Sequence, residues 1–379
     1  MAKQRVLFIV PSLRRAGAEV QIVQLVNGLP EDRFEKHLVC YLEDEGLRDE
    51  VQTNSVHYYQ FQRARKIDRA VAGEIAKIID DECIDIVHCT LENALLYGVL
   101  ATRISTRQPD LVCAIHTTKQ PTWKHVLADF IIYRHLLKRC TQVWFMSKTQ
   151  SQQWIRRLPF LRERCRVIYN GVKCDVFDPE NFIGAGRDFR NELGIPEEAK
   201  VLCCVAGLRP EKLHTVLLRS FRKLRETLND DCYLLLAGTG PMKKELVDLA
   251  TKLELGEKVR FLGGLSDVRP LLAASDCKVL CSAAETFSMA MLEAMAMGVP
   301  VLATRVGGSG DAITDGETGV LITPGSVSDL AEKLSALLSD QSQIARMGRL
   351  ARKTVSECFS YTTMIEQSTA NLASIGTRF

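Results

Sequence analysis

Short apolar runs recur along the chain, separated by stretches in which apolar residues return every three or four positions. The runs RVLFIV (5–10), KHLVCY (36–41), IDIVHC (84–89), DLVCAIH (110–116) and QVWFM (142–146) are nearly continuous in hydrophobicity, as strands buried on both faces are. Between them lie helical-period stretches such as 66–82. The pattern then restarts with KVLCCVAGL (200–208), CYLLLAG (232–238), KVRFLG (258–263), CKVLCS (277–282) and VPVLATR (299–305). Strands that alternate with helices predict a parallel, doubly wound α/β sheet, here twice over. The join is YNGVKCDVFDPENFIGAGRDF, whose Gly, Asn, Asp and Pro content is that of a loop. Two Rossmann-like domains joined near 170–195 are therefore expected, the first over 1–172 and the second over 173–358 with a linker at 173–199.

Length agrees with this division. At 379 residues the chain exceeds the roughly 250–300 at which a single core stops growing. Thirteen cysteines occur without any C-x-x-C pair, the usage of reduced core thiols in a cytoplasmic protein. Cys277 and Cys281 lie four apart, with no neighbouring cysteine or histidine in sequence to complete a zinc site. No apolar stretch approaches the ~18 residues of a membrane span, and no signal segment opens the chain. Net charge is only +3, but residues 99–170 carry 13 Lys and Arg against three acids, a net of +10. No nucleic-acid motif accompanies that basic excess, so nucleic acid is not an expected partner.

Open α/β sheets bind ligands beyond the carboxyl ends of their strands, and residues just past those ends carry the candidate chemistry. Gly17 stands at the first strand-to-helix turn, where a simple turn and a phosphate-facing amide cluster are both open readings. Gly238 and Gly240 follow a strand without completing the dinucleotide fingerprint. Arg209 and Lys212, in LRPEK, suit a diphosphate, although most such charges end as a solvated turn. His116 ends an apolar run and precedes two threonines, as a hydrogen-bonding or acid–base group would. His88 reads as a satisfied structural histidine, and His37, His57, His125, His135 and His214 as surface or helix residues. Within SAAETFSMAMLEAMAMGVPVLATRVGG, Glu285 and Glu293 are eight apart, close to two turns of ~3.6 residues. A helix that begins near Ser288 would turn its first amides and positive dipole toward a ligand, with both carboxylates suited to hydroxyls.

Together these segments resemble the retaining glycosyltransferases of family 4, also grouped as glycosyl transferases group 1. The resemblance runs through AGAE (16–19), DIVH (85–88), IHTT (115–118), VIYNGVKCDVF (167–177), LRPEK (208–212), AGTGPMKKEL (237–246), VRFLGGLSDV (259–268), the segment 274–308 and DGETGVLITPGS (315–326). It implies the GT-B fold, two Rossmann-like doubly wound parallel-sheet domains that face each other across a cleft, with a last helix (359–379) that crosses back to the first domain. It implies that Glu293 holds the nucleotide ribose and Glu285 the donor sugar. Arg209 and Lys212 would take the diphosphate, amides near Phe287, Ser288 and Met289 the phosphates and sugar, and Gly238 and Gly240 a donor-facing loop. Gly17 would close over the phosphates, and His116 would meet the donor sugar at the reacting centre. The donor would be a nucleotide-sugar, a UDP-sugar ahead of a GDP-sugar, and no cofactor is implied.

Three positions depart from the family pattern. Gly207 stands where many members carry an arginine, the usual double glycine of the first loop is Ala16-Gly17, and the acid after VGG is Asp311. No D-x-D triplet occurs, so a divalent-metal site at the donor is not expected. The acceptor is expected to be a glycan or lipid-linked molecule of the cell envelope. Residues 119–140 mix Trp123, Phe130, Ile131 and Tyr133 with Lys119, Lys124, Arg134, Lys138 and Arg139. That mixture fits either peripheral contact with an anionic membrane at the inner face of the cell or an ordinary core-packing helix. A nucleotide-sugar-binding protein or an epimerase on the same fold, without transferase activity, is the alternative.

Overall fold

The computed structural model describes residues 3–43, 46–65, 67–116, 131–227 and 232–376. It divides into two compact units, Met1–Asn170 with Tyr361–Phe379, and Gly171–Ser360.

The first unit is built on seven parallel strands: β1 (Gln4–Val10), β2 (Phe34–Cys40), β3 (Val56–Gln60), β4 (Ile86–Thr90), β5 (Asp110–Ile115), β6 (Gln142–Phe145) and β7 (Cys165–Val167). Their order, β3-β2-β1-β4-β5-β6-β7, reverses beside β1 as in a doubly wound sheet. The apolar runs are the central strands, and residues 6–10 are entirely buried. Helix Arg69–Asp81 starts where Asp68 accepts the Ala70 amide, and it presents Val71, Ala72, Ile75 and Ile79 to Leu7, Ile9 and Val39. Helix Tyr361–Ala373 belongs to this unit. Gln142 reaches it through Asn371 O (3.3 Å) and Ser374 Oγ (3.2 Å), and a Cβ on Gly28 would strike Tyr361 and Ile365.

The second unit holds six parallel strands: β8 (Lys200–Val205), β9 (Cys232–Ala237), β10 (Val259–Gly263), β11 (Cys277–Leu280), β12 (Val301–Thr304) and β13 (Val320–Ile322). Their order is β10-β9-β8-β11-β12-β13. Helix His214–Thr227 buries Leu217, Leu218, Phe221 and Leu224 against the sheet, and helix Val327–Leu338 packs beside it.

Ten strands lie where the apolar runs predict them, and three do not announce themselves. β3 (VHYYQ), β7 (CRV) and β13 (VLI) are edge strands, and β7 and β13 are only three residues long. β3 and β7 bury too few positions for a continuous run, and β13, though apolar, is too short to stand out. Among the described residues no helix is long and apolar enough to cross a membrane. All thirteen cysteines, Cys277 and Cys281 included, are free. Residues 119–130 of the basic stretch lie outside the described residues. In the remainder Leu137 is buried, whereas Ile131 and Ile132 are each 55% exposed beside the exposed Arg134, Lys138 and Arg139.

Candidate functional site

In the second unit the candidate residues gather at the carboxyl ends of the strands. Past β8 the chain runs through Gly207 and Arg209 into a single 3-10 turn, Pro210–Lys212, before helix His214–Thr227. Leu213, which joins the two, is a non-glycine residue with φ 49°, a conformation that costs energy and that surrounding structure must enforce. Here the enforcement comes from the segment after β11: the Ala283 amide donates to Glu211 O (2.8 Å), and Cys281 Sγ lies 3.3 Å from Lys212 O. The two segments thus lie side by side, and Lys212 Nζ meets Glu285 Oε2 at 2.6 Å with both side chains largely buried.

Arg209 behaves differently. It is mostly exposed and pairs with Glu211 at 3.0 Å. Its Nε lies over Gly207, where a Cβ would come within 3.3 Å of it. The glycine that departs from the family pattern therefore leaves room for Arg209.

Gly238 and Gly240 have a steric reason to be glycine. A Cβ on Gly238 would fall 2.0 Å from Ala206 O, and one on Gly240 would fall 2.4 Å from Leu208 O. The loop after β9 lies directly on the loop after β8, and hydrogen bonds Leu208 N to Thr239 O (2.8 Å) and Met242 N to Leu208 O (3.0 Å) hold it there.

Helix Met289–Ala296 is capped by Ser288, whose hydroxyl accepts from the Met291 amide at 3.3 Å. Phe287 is buried against the Phe359 ring, 5.2 Å between centroids, so its side chain is taken up by packing. Burial holds the Glu293 carboxyl above the usual range, opposed by attraction to Lys278. Lys278, on β11, is fully buried and donates to Ala290 O of the same helix. Burial pushes its ammonium below the usual lysine range, against attraction from groups that include Glu293.

Two of these contributors are absent from the sequence reading. Lys278 sits inside an apolar strand run, and its charge in so buried a position was the available signal. Gly307, with φ 53°, would drive a Cβ to 1.7 Å from Glu285 O, and Gly308 N donates to Thr286 O at 2.7 Å. The VGG loop therefore fixes the backbone that carries Glu285.

In the first unit, helix Gly17–Gly28 begins at Gly17 itself. Ala16 at its N-cap has no side-chain group to accept a hydrogen bond, so the N-cap residue makes no side-chain cap. His116 follows β5, and burial pushes it down to about 4, which keeps the imidazole neutral near pH 7. It lines a small cavity of about 30 Å³ with His88, Gln21, Tyr169, Asn170 and Ser368, large enough for a single water.

His37 departs from the sequence reading, and the burial of His88 and His214 adds to it. His88 is buried as expected, but only half satisfied: Nδ1 is 3.5 Å from Thr90 Oγ1, and Nε2 has no hydrogen-bond partner. Its ring packs against Phe8 and, edge-on, Trp144, and burial pushes it down to about 3. His37 is fully buried on β2, not a surface residue. His214 opens its helix but is buried, with Nε2 3.8 Å from Cys204 Sγ, and burial together with Lys212 pushes it down to about 4. In each case strand or helix position put the ring against an apolar layer that local sequence does not reveal.

With the geometry established, comparison with known proteins gives a consistent answer. Residues 15–176 match the family described as Glycosyltransferase Family 4, and residues 186–354 that described as Glycosyl transferases group 1. An N-acetyl-alpha-D-glucosaminyl L-malate synthase of Bacillus anthracis is 28% identical over 320 residues, covering 84% of this chain and 81% of the relative. An uncharacterized glycosyltransferase of Methanocaldococcus jannaschii is 30% identical over 291 residues, covering 75% of this chain and 74% of the relative. The crystal structure of Anabaena HepE in complex with UDP-glucose matches with a TM-score of 0.83 at 24% identity, over 98% of this chain and 99% of that one. That likeness and the two parallel-sheet units are those of the GT-B fold.

Proposed function

We propose that this chain, which belongs to glycosyltransferase family 4, moves a hexose-type sugar from a UDP-sugar to an acceptor hydroxyl, with retention of anomeric configuration and without a metal ion. The observation that carries the donor half is the largely buried Lys212–Glu285 pair, set at the strand ends beside the helix that bears Glu293. Lys212 and Arg209 would neutralise the diphosphate, aided by the amides near Phe287, Ser288 and Met289. Stabilisation of the leaving diphosphate by fixed cations and dipoles is the electrostatic form of catalysis, and it needs no divalent ion. Glu293 would accept from ribose hydroxyls and Glu285 from the donor sugar. Gly238 and Gly240 would let the loop after β9 approach the donor.

In the first unit, the helix amides after Gly17 suit a phosphate. His116, neutral near pH 7, would act as a hydrogen-bonding partner of the sugar and not as a proton donor. The complex of HepE with UDP-glucose supports a UDP-sugar ahead of a GDP-sugar. A glycan or lipid-linked acceptor in cell-envelope assembly, with peripheral contact at the cytoplasmic face of the membrane, is the reading favoured by the basic first domain and by the exposed Ile131 and Ile132.

The test is calorimetric titration of UDP, GDP and ADP in EDTA, into the wild type and Glu293→Ala. UDP should bind the wild type, and the variant should lose about 1–3 kcal/mol with its ribose hydrogen bonds. Equal binding by the two proteins would remove the role given to Glu293. Binding restored only by magnesium would remove metal independence.

A further inference from the structure

A second cluster lies toward the amino ends of β2 and β3, at the end of the sheet opposite His116. Glu35 and His37 alternate along β2, so they share a face, and the register sets His37 directly beside His57 on β3. Their ligand-capable atoms lie within 4.8 Å of one another. The two rings stack, with centroids 4.7 Å apart at 19°.

The protons in this cluster can be assigned. Tyr59 donates its hydroxyl to Glu82 Oε1 at 3.3 Å, and a hydroxyl has only one proton to give. With Tyr59 as donor to Glu82, the contact of 3.2 Å between Tyr59 Oη and His37 Nδ1 takes His37 as its donor, the tautomer we assign. With its proton on Nδ1, the neutral ring presents a bare lone pair at Nε2. That atom is fully buried, makes no hydrogen bond, and lies 3.5 Å from Glu35 Oε1. The other oxygen of Glu35 is held by Arg5 Nε at 3.2 Å. In this tautomer the buried Nε2 lone pair faces the half-buried Glu35 carboxylate, an arrangement that a cation between them would resolve.

We propose that Glu35, His37 and His57 bind one divalent transition-metal ion of the zinc type, with a remaining position open to water on the exposed His57 side. In a tetrahedral site with bonds of ~2.1 Å, neighbouring ligand atoms are ~3.4 Å apart, and Nε2 and Oε1 already stand at 3.5 Å. The exposed His57 ring completes the set by turning toward them. Tyr59 and Glu82 form the outer chain that fixes the His37 tautomer, the arrangement ligating histidines typically have. The ion would pin the edge strand β3 to β2. This proposal is independent of the donor chemistry.

The probe is Co²⁺, titrated into the full chain after metal removal and followed by visible absorption, with Zn²⁺ as competitor. The wild type should take up one ion with ligand-field bands and no thiolate charge-transfer band, and Zn²⁺ should displace it and raise the melting temperature. His57→Ala and Glu35→Gln should each weaken binding at least tenfold and abolish the Zn²⁺ shift in melting temperature. No Co²⁺ or Zn²⁺ binding by the wild type, a thiolate band, or unchanged affinity in both variants would overturn the proposal. UDP binding in EDTA should be the same for His57→Ala as for the wild type.

Discussion

Lys212 and Glu285 are 73 positions apart in sequence and 2.6 Å apart in space, each with less than 15% of its side chain exposed. Pattern reasoning assigned them separately, one to a diphosphate and one to a sugar. Their pairing follows from the contact between the loop after β8 and the loop after β11, which no local signal encodes. Partly buried pairs repay their desolvation only through each other, so removal of one partner strands the other. A double-mutant cycle on unfolding free energy with Lys212→Ala and Glu285→Ala should show a coupling of about 1–3 kcal/mol. Additive single-mutant costs would mean that the two groups do not stabilise one another. Arg209 offers a contrast: its pair with Glu211 is exposed and screened, and such pairs contribute little to stability.

Between elements, close backbone approaches shape the candidate site. Gly307 holds the Glu285 backbone by leaving no atom where a Cβ would be. Gly307→Ala should therefore cost about 1–3 kcal/mol in unfolding free energy and also weaken UDP. Gly316→Ala provides the control: its φ is 81°, but a Cβ there meets nothing within 4 Å. It should cost about 1–2 kcal/mol of left-handed backbone strain and leave UDP affinity unchanged. Equal effects of the two substitutions on UDP would show that strain alone, not the Glu285 contact, is responsible. The helix read as starting near Ser288 does start there because Ser288 is a favourable cap before a run of helix formers. β3 and β7 escaped the same reading because they bury too few positions, and β13 because three residues make too short a run.

Across the whole molecule, buried neutral histidines set the acid response. Burial depresses His88 to about 3 in the first unit, and burial with Lys212 depresses His214 to about 4 in the second. The unfolded chain binds protons at these rings from about pH 6.5 downward while the folded state does not. Their stabilising contribution is thus complete above that pH and is lost as pH falls toward 4 and then 3. Glu293 acts with the opposite sign, because its raised carboxyl takes up a proton in the folded state first. Urea midpoints should fall between about pH 7 and about pH 5. His88→Gln should flatten that fall and Glu293→Gln should steepen it. A flat profile in the wild type would exclude the buried rings as the cause. By itself, the sequence determined the two parallel-sheet units, the strands buried on both faces and the residue types at the strand ends, because hydrophobic periodicity and turn chemistry are local properties. Tertiary structure alone decided that Lys212 meets Glu285, that buried Lys278 braces the Glu293 helix, and that Glu35, His37 and His57 share one face. Those juxtapositions depend on sheet order and register, which bring together residues that no short stretch of chain can relate.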